Sequence, residues 1–191
     1  MNIHQLSVSH DERQDRLLLR LNTLANEEFR FWLTRRMVFL LLPALTQMVA
    51  RLEAAQPGFA ASDAQAQSLL TELKRDAFLQ EADFATPYAV EAPQRPLGEE
   101  PLLITDVQLN HTAQQSLEVI FLNTSAQPPL ACTLNLQAPL VHGLIHLMAQ
   151  TASHANWALP PASDRLGANL QPTAGTNADS DPAATPRPLM H

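Results

Sequence analysis

"EEFRFWLTRRMVFLLLPAL", residues 27–45, places charged and aromatic residues directly before a dense apolar run that contains a proline. Three interpretations suit such a stretch: a membrane anchor, a basic binding helix, or a helix in the core of a soluble fold. A transmembrane helix needs about 20 predominantly apolar residues. The apolar run, residues 37–45, is much shorter and is flanked by Arg35, Arg36 and Arg51. We therefore expect no membrane insertion.

Apolar residues recur in this stretch at i, i+3, i+4 and i+7, starting with Phe29, Trp32 and Leu33, which is the spacing of one helix face. The pattern predicts a helix that is capped by Asn26 and is kinked or split at Pro43. Further apolar residues make the middle of this helix apolar on more than one side, and we predict that they form a partner or homodimer interface. They are Phe31, Val38, Phe39 and Leu42.

The remaining periodicities predict five strands and two more helices. The strands are predicted within residues 2–10, 15–23, 102–110, 116–124 and 129–137, and the helices over about 63–83 and 138–157. Short polar links between neighbouring strands indicate antiparallel pairing. The order ββααβββα predicts an α+β fold. We expect a two-layer sandwich in which one five-stranded antiparallel sheet has the helices packed on one face.

The second predicted helix carries an apolar stripe, with charged residues on its other side. The stripe consists of Ala66, Leu69, Leu70, Leu73 and Ala77. From residue 158 the chain is rich in Pro, Ala, Asp, Asn, Ser and Thr and has almost no large apolar residues. It cannot bury enough surface to offset its chain entropy. We therefore predict one globular domain over residues 1–157 and a disordered tail over residues 158–191.

The net charge of −7 argues against a protein that binds nucleic acid by bulk attraction to phosphate. Residues 57–110 hold three basic and nine acidic residues, a net charge of −6, which favours a basic partner. The single cysteine, Cys132, excludes an intramolecular disulfide, and the N-terminal residues have no signal-peptide pattern. We expect a cytoplasmic protein, and its Arg- and Ala-rich composition indicates a bacterial source.

Two histidines in the last helix are candidate metal ligands. His142 and His146 are four residues apart and project on one side of a helix, a spacing that suits two ligands. No glutamate follows His142, so the zinc-protease motif with its general base is absent. The alternative is that both imidazoles hydrogen-bond to the backbone or to water at the edge of the apolar stripe.

Arginines in the N-terminal third offer a second alternative, contact with nucleic-acid phosphates. The candidates are Arg16, Arg20, Arg35 and Arg36. Arg16 and Arg20 share one outer face of a strand, and arginine pairs well with phosphate. Nearby acidic residues such as Glu27 and Glu28 can instead pair with these side chains inside the protein.

The five glycines form no phosphate-binding or dinucleotide-binding loop, and no nucleophile elbow occurs. The sequence thus favours a non-enzymatic protein, without a cofactor, that acts by protein–protein interaction. We expect an adaptor or subunit of a bacterial cytoplasmic complex. A metal-dependent enzyme using His142 and His146 and a nucleic-acid-binding protein using the arginines remain the alternatives.

Overall fold

The structure, a computed structural model, describes residues 3–55, 64–82, 86–88 and 94–158. Within these ranges it has both helices and antiparallel strands, so the predicted α+β class is confirmed. The elements are β1 Ile3–Asp11, β2 Arg16–Thr23, β3 Glu28–Thr34, α1 Arg35–Ala54, α2 Ala64–Glu81, β4 Leu102–Leu103, β5 Asp106–His111, β6 Leu117–Asn123, β7 Leu130–Leu136 and α3 Ala138–His154. The predicted tail lies, from residue 159 onwards, outside the described residues, and the domain limits stay a prediction.

The strands form two sheets, so the prediction of one five-stranded sheet is wrong. The first sheet has the order β1-β2-β3-β4 and the second the order β5-β6-β7. All neighbours are antiparallel except β3 and β4, which pair in parallel over two residues. Four of the predicted strands are present as β1, β2, β6 and β7, but the strand predicted over residues 102–110 is divided into β4 and β5, which lie in different sheets. In the first sheet β2 pairs on one side with β1 and on the other with β3, a strand absent from the prediction.

Residues 28–34 form strand β3 and not the first part of a helix. Phe29, Phe31 and Leu33 alternate inward and are buried, which is the period of a strand. The same stretch also satisfies a helical spacing, and its pairing with β2, with Leu19 opposite Phe31, decides between the two. Asn26, the predicted helix cap, lies between β2 and β3 with a φ of 63°. An asparagine tolerates this left-handed conformation.

Helix α1 begins directly after β3, at Arg35, and Thr34 is its N-cap. The Thr34 side chain accepts a hydrogen bond from the backbone N–H of Met37 at 3.2 Å. Pro43 does not split the helix, which continues to Ala54. By length and composition α1 could cross a membrane, with a mean hydropathy of 1.4. This is weak evidence, because 44% of that segment is buried and the core helix of a soluble protein meets the same criterion.

One hydrophobic core lies between the two sheets, α1 and α3. The rings of Phe31 in β3 and Phe121 in β6 contact each other with centroids 4.8 Å apart, which joins the inner faces of the sheets. Both helices contact both sheets. Among the described residues, α2 contributes no fully buried side chain to this core. Helix α2 is therefore an addition to the edge of the domain, where it contacts α1 and α3.

Thr34→Ala should destabilise the domain, because it removes the hydroxyl that caps α1 at the end of β3. Loss of an N-cap typically costs about 1 kcal/mol, so the free energy of unfolding in urea should fall by about that amount. Thr34→Ser keeps the hydroxyl and is the matched control. An equal loss in both variants, or no loss in either, would contradict the assignment of Thr34 as the cap.

Candidate functional site

The C-terminal end of α1, helix α2 and the N-terminal end of α3 surround a cavity of about 370 Å³ that is partly open to solvent. We call it the interhelical cavity. Its lining combines three polar side chains with apolar ones. The lining residues are Glu53, Lys74, Ala77, Phe78, Ala138, Pro139 and His142.

The polar side of the interhelical cavity is a buried pair, Glu53 of α1 and His142 of α3. Glu53 is 3% exposed and His142 is 4% exposed. The His142 Nε2 atom lies 3.0 Å from the Glu53 Oε1 atom. The second carboxylate oxygen, Oε2, is buried and has no hydrogen-bond partner in the part of the chain that the structure describes. A buried acceptor left in this way costs about 1–3 kcal/mol.

The structure pairs His142 with Glu53, whereas the sequence paired it with His146. His146 lies one turn further along α3, has an interaction of its own, and is not among the lining residues of the cavity. Among the described residues, no group of three His, Cys, Asp or Glu side chains could hold a metal ion. A carboxylate beside an imidazole holds the ring in one orientation and favours one tautomer. The pair can therefore present a fixed donor and acceptor set to a ligand in the cavity.

The four residues predicted to form an interface lie mostly inside the chain's own core. Phe31, Val38 and Leu42 are buried, and Phe39 is partly buried. The Phe39 ring packs edge-on against Trp157 with centroids 6.2 Å apart. The interface prediction assumed that a single chain does not cover these four side chains. For Phe31, Val38 and Leu42 this assumption is wrong, because the two sheets and α3 cover both sides of this segment.

Helix α2 turns its leucines outward, which is the opposite of the expected orientation. Leu69, Leu70 and Leu73 are 61%, 38% and 65% exposed, and we call them the leucine face. The opposite side of α2 carries Phe78, whose ring lies against α3 at Gly143. A Cβ atom on Gly143 would lie 3.3 Å from a Phe78 ring atom. Glycine therefore permits the close approach that holds α2 by this side.

The arginines of the nucleic-acid hypothesis do not form one free cluster. The Arg20 side chain donates to the Ser7 hydroxyl at 3.3 Å and lies over the Tyr88 ring at 4.6 Å. Arg35 lies over the ring of Trp157 at 5.7 Å. Arg16 lies on β2, four residues before Arg20. Arg36 is exposed in the first turn of α1.

A second polar cluster, on the outer face of the first sheet, centres on the buried carboxylate of Glu28. The Arg95 Nε atom lies 3.3 Å from the Glu28 Oε2 atom, and the Arg30 Nε atom lies 3.9 Å from it. The Tyr88 hydroxyl donates to Glu28 Oε1 at 3.3 Å. Burial and the adjacent Glu28 charge raise the pKa of Tyr88 well above its ordinary value of 10.0. The cluster is satisfied by its own members, which indicates a structural role.

Sequence reasoning did not identify Glu28 or Glu53 as buried carboxylates. A signal was present for Glu53, because it lies at helical spacing from Val49 and so falls on the inward side of α1. Glu28 and Tyr88 meet across 60 residues of sequence, and no local pattern reports such a contact. Cys132 is buried on β7, and burial raises the pKa of its thiol to about 11, which fits an unreactive core residue.

No family model, no curated protein and no solved structure matches this chain.

The buried cluster around Glu28 can be tested by titrating Tyr88, which is the chain's single tyrosine. Ultraviolet absorbance should show the phenol of the folded protein ionising well above pH 10.0, and near pH 10.0 in denaturant. The folded state holds this proton more tightly than the unfolded chain does. Its contribution to stability is therefore fully present below pH 10.0 and is lost as the pH rises through the folded-state pKa.

Glu28→Gln is the comparison variant, since it removes the charge while keeping the shape of the side chain. It should move the folded-state pKa of Tyr88 down towards its ordinary value. Ionisation of the wild-type phenol near pH 10.0 under folding conditions would contradict the geometry.

Proposed function

We propose that the chain is a non-enzymatic protein-interaction module, an adaptor or subunit of a bacterial cytoplasmic complex, that docks through the leucine face of α2. The observation that carries this proposal is the exposure of Leu69, Leu70 and Leu73 side by side on one helix. Burying one leucine is worth about 1.5–3 kcal/mol, so a partner that covers all three gains substantially. Single exposed leucines are ordinary on protein surfaces, whereas adjacent ones on one face favour a docking role.

The charged residues along the edge of the leucine face indicate which side chains the partner should carry. Glu72 and Asp76 are exposed, lie four residues apart and flank the leucines on the same edge of α2. Arg75 pairs with Asp76 at 2.9 Å, but an exposed pair of this kind is weak and can exchange partners. The surrounding segment, residues 57–110, has a net charge of −6. These features favour an amphipathic partner helix with an apolar face and a basic edge.

A second copy of the chain fits the leucine face less well. In an antiparallel pair of α2 helices the same edge of each helix would meet, so that Glu72 and Asp76 would face their own counterparts. Like charges across such an edge oppose association. The leucine face is also narrow, and a stable dimer buries roughly 1,200–2,000 Å² in total, more than three leucines per subunit supply.

The proposal predicts selective binding of a helical peptide. Two synthetic amphipathic peptides carry the same row of leucines on one side of a helix. The positions flanking this row are lysine and arginine in one peptide and glutamate in the other. Fluorescence anisotropy should show that the basic peptide binds at least about tenfold more tightly than the acidic one. High salt should weaken the difference between them.

Variants of the chain locate the binding surface. Leu69→Glu combined with Leu73→Glu should abolish peptide binding without lowering the melting temperature, because both side chains are exposed. Leu24→Glu is the matched control, since Leu24 is 70% exposed and lies outside α2; it should bind normally. Equal binding of both peptides, binding that survives the double substitution, or a stable dimer disrupted by Leu73→Glu would each refute this partner.

A further inference from the structure

Strand β7 forms one edge of the second sheet. Among the described residues, only those of β6 form hydrogen bonds with the β7 backbone. Apart from β6, the described element that contacts β7 most is α3, which follows it directly in the chain. An edge strand turns the N–H and C=O groups of every second residue away from its neighbour. The free edge of β7 can therefore pair with another strand.

The sequence of β7 lacks the features that normally prevent such pairing. Natural edge strands are protected by charged side chains, prolines or bulges. The seven residues of β7, "LACTLNL", include no charged residue and no proline, and their register with β6 has no shift. Three outward side chains, those of Ala131, Thr133 and Asn135, are exposed, and Leu130 is 40% exposed. The strand is thus a regular, uncharged template for pairing.

The other edges of the two sheets are protected. Helix α3 lies against β1, where the Thr151 hydroxyl donates to the Val8 carbonyl oxygen at 3.3 Å, and β1 is irregular near its start. Strand β4 has two residues. Strand β5 contacts α1 and begins with the exposed, charged Asp106. Among the described strands, β7 is therefore the edge without a protecting feature.

A second copy of β7 complements the first. An antiparallel pair aligned over all seven residues places Thr133 opposite the Thr133 of the second copy. In the same alignment Leu130 lies opposite Leu136, and Ala131 lies opposite Asn135. Apolar residues thus meet at both ends, no like charges meet, and threonine pairs across strands are favourable.

Pairing through β7 also stops at two copies. A two-fold axis uses both free β7 edges, so the joined sheet has the order β5-β6-β7-β7-β6-β5 and ends in β5 on each side. The protected edge of β5 does not extend the sheet. Pro129 directly precedes β7 and α3 begins at Ala138, so the pairing cannot extend beyond the strand.

We propose that the chain forms a homodimer in which β7 pairs with β7 of a second copy, antiparallel and centred on Thr133. One strand from each copy forms this interface, and small interfaces of this kind are weak and reversible. We expect a Kd of roughly 10–100 μM. The dimer does not use the leucine face, since α2 is not among the elements that pack extensively on β7.

Substitutions at Thr133 test the two-fold axis, because there each residue meets its own copy. Sedimentation equilibrium at about 5–500 μM should show the wild type in a monomer–dimer equilibrium. Thr133→Lys and Thr133→Glu each place like charges opposite each other, so each should weaken dimerisation at least about tenfold. An equimolar mixture of the two variants should restore it, because lysine then faces glutamate. Position 133 is exposed, so the melting temperature should stay unchanged.

Cysteine cross-linking tests the register. In Thr133→Cys the two Cβ atoms should lie about 4.5–5.5 Å apart, so mild oxidation should give a disulfide-linked dimer. Ala131→Cys is the matched control on the same exposed face. Its two copies would lie about 14 Å apart in this register, too far for a disulfide, so it should remain unlinked. The wild type, in which Cys132 is buried, is the blank.

A wild type that stays monomeric at about 500 μM would overturn the proposal. Unchanged association in Thr133→Lys and Thr133→Glu, equal cross-linking of the Ala131→Cys and Thr133→Cys variants, or growth beyond a dimer would overturn it as well. Leu73→Glu is the control on the leucine face and should dimerise like the wild type; its loss of dimerisation would place the contact on α2. A negative peptide experiment leaves this result unaffected.

Discussion

The contact between Phe31 and Phe121 unites the domain, because it is the point where the inner faces of its two sheets meet. Each sheet has one apolar face, and neither face can be left in water without a large cost. The sheets cover each other in part, and α1 and α3, which contact both sheets, cover the rest. This core is built from two sheets and two helices, and the described part of α2 lies outside it.

The position of α2 follows from that core and explains the exposure of its leucines. The helix is held through Phe78, whose ring approaches Gly143 so closely that a larger residue there would have to displace it. With Phe78 turned inward, the leucines of α2 are turned to solvent, and the space beside Phe78 becomes the interhelical cavity. The packing of Phe78 against α3 therefore leaves the leucine face exposed to solvent and forms the interhelical cavity, whose polar side is the Glu53–His142 pair.

Much of this fold could be predicted from local patterns, and the errors have physical causes. Alternation located β2, and helical periodicity located α3. Residues 28–34 satisfy both periods, so their state is decided by hydrogen bonding to β2, which a local pattern does not contain. Periodicity also identified the apolar side of α2, but it cannot tell whether the core covers that side. The pairing of Glu53 with His142 joins positions 89 residues apart and likewise needs the fold.

The proposed docking surface depends on the outward orientation of the α2 leucines, and thiol labelling measures that orientation. Cys132 is buried with a raised pKa, so it adds little background in the native protein. The variants Leu73→Cys and Thr71→Cys place one thiol on the leucine face and one on the packed side of α2. The structure predicts that position 73 reacts almost as fast as in the unfolded chain and that position 71 reacts several-fold more slowly. A protected thiol at position 73 with a fast one at position 71 would contradict it.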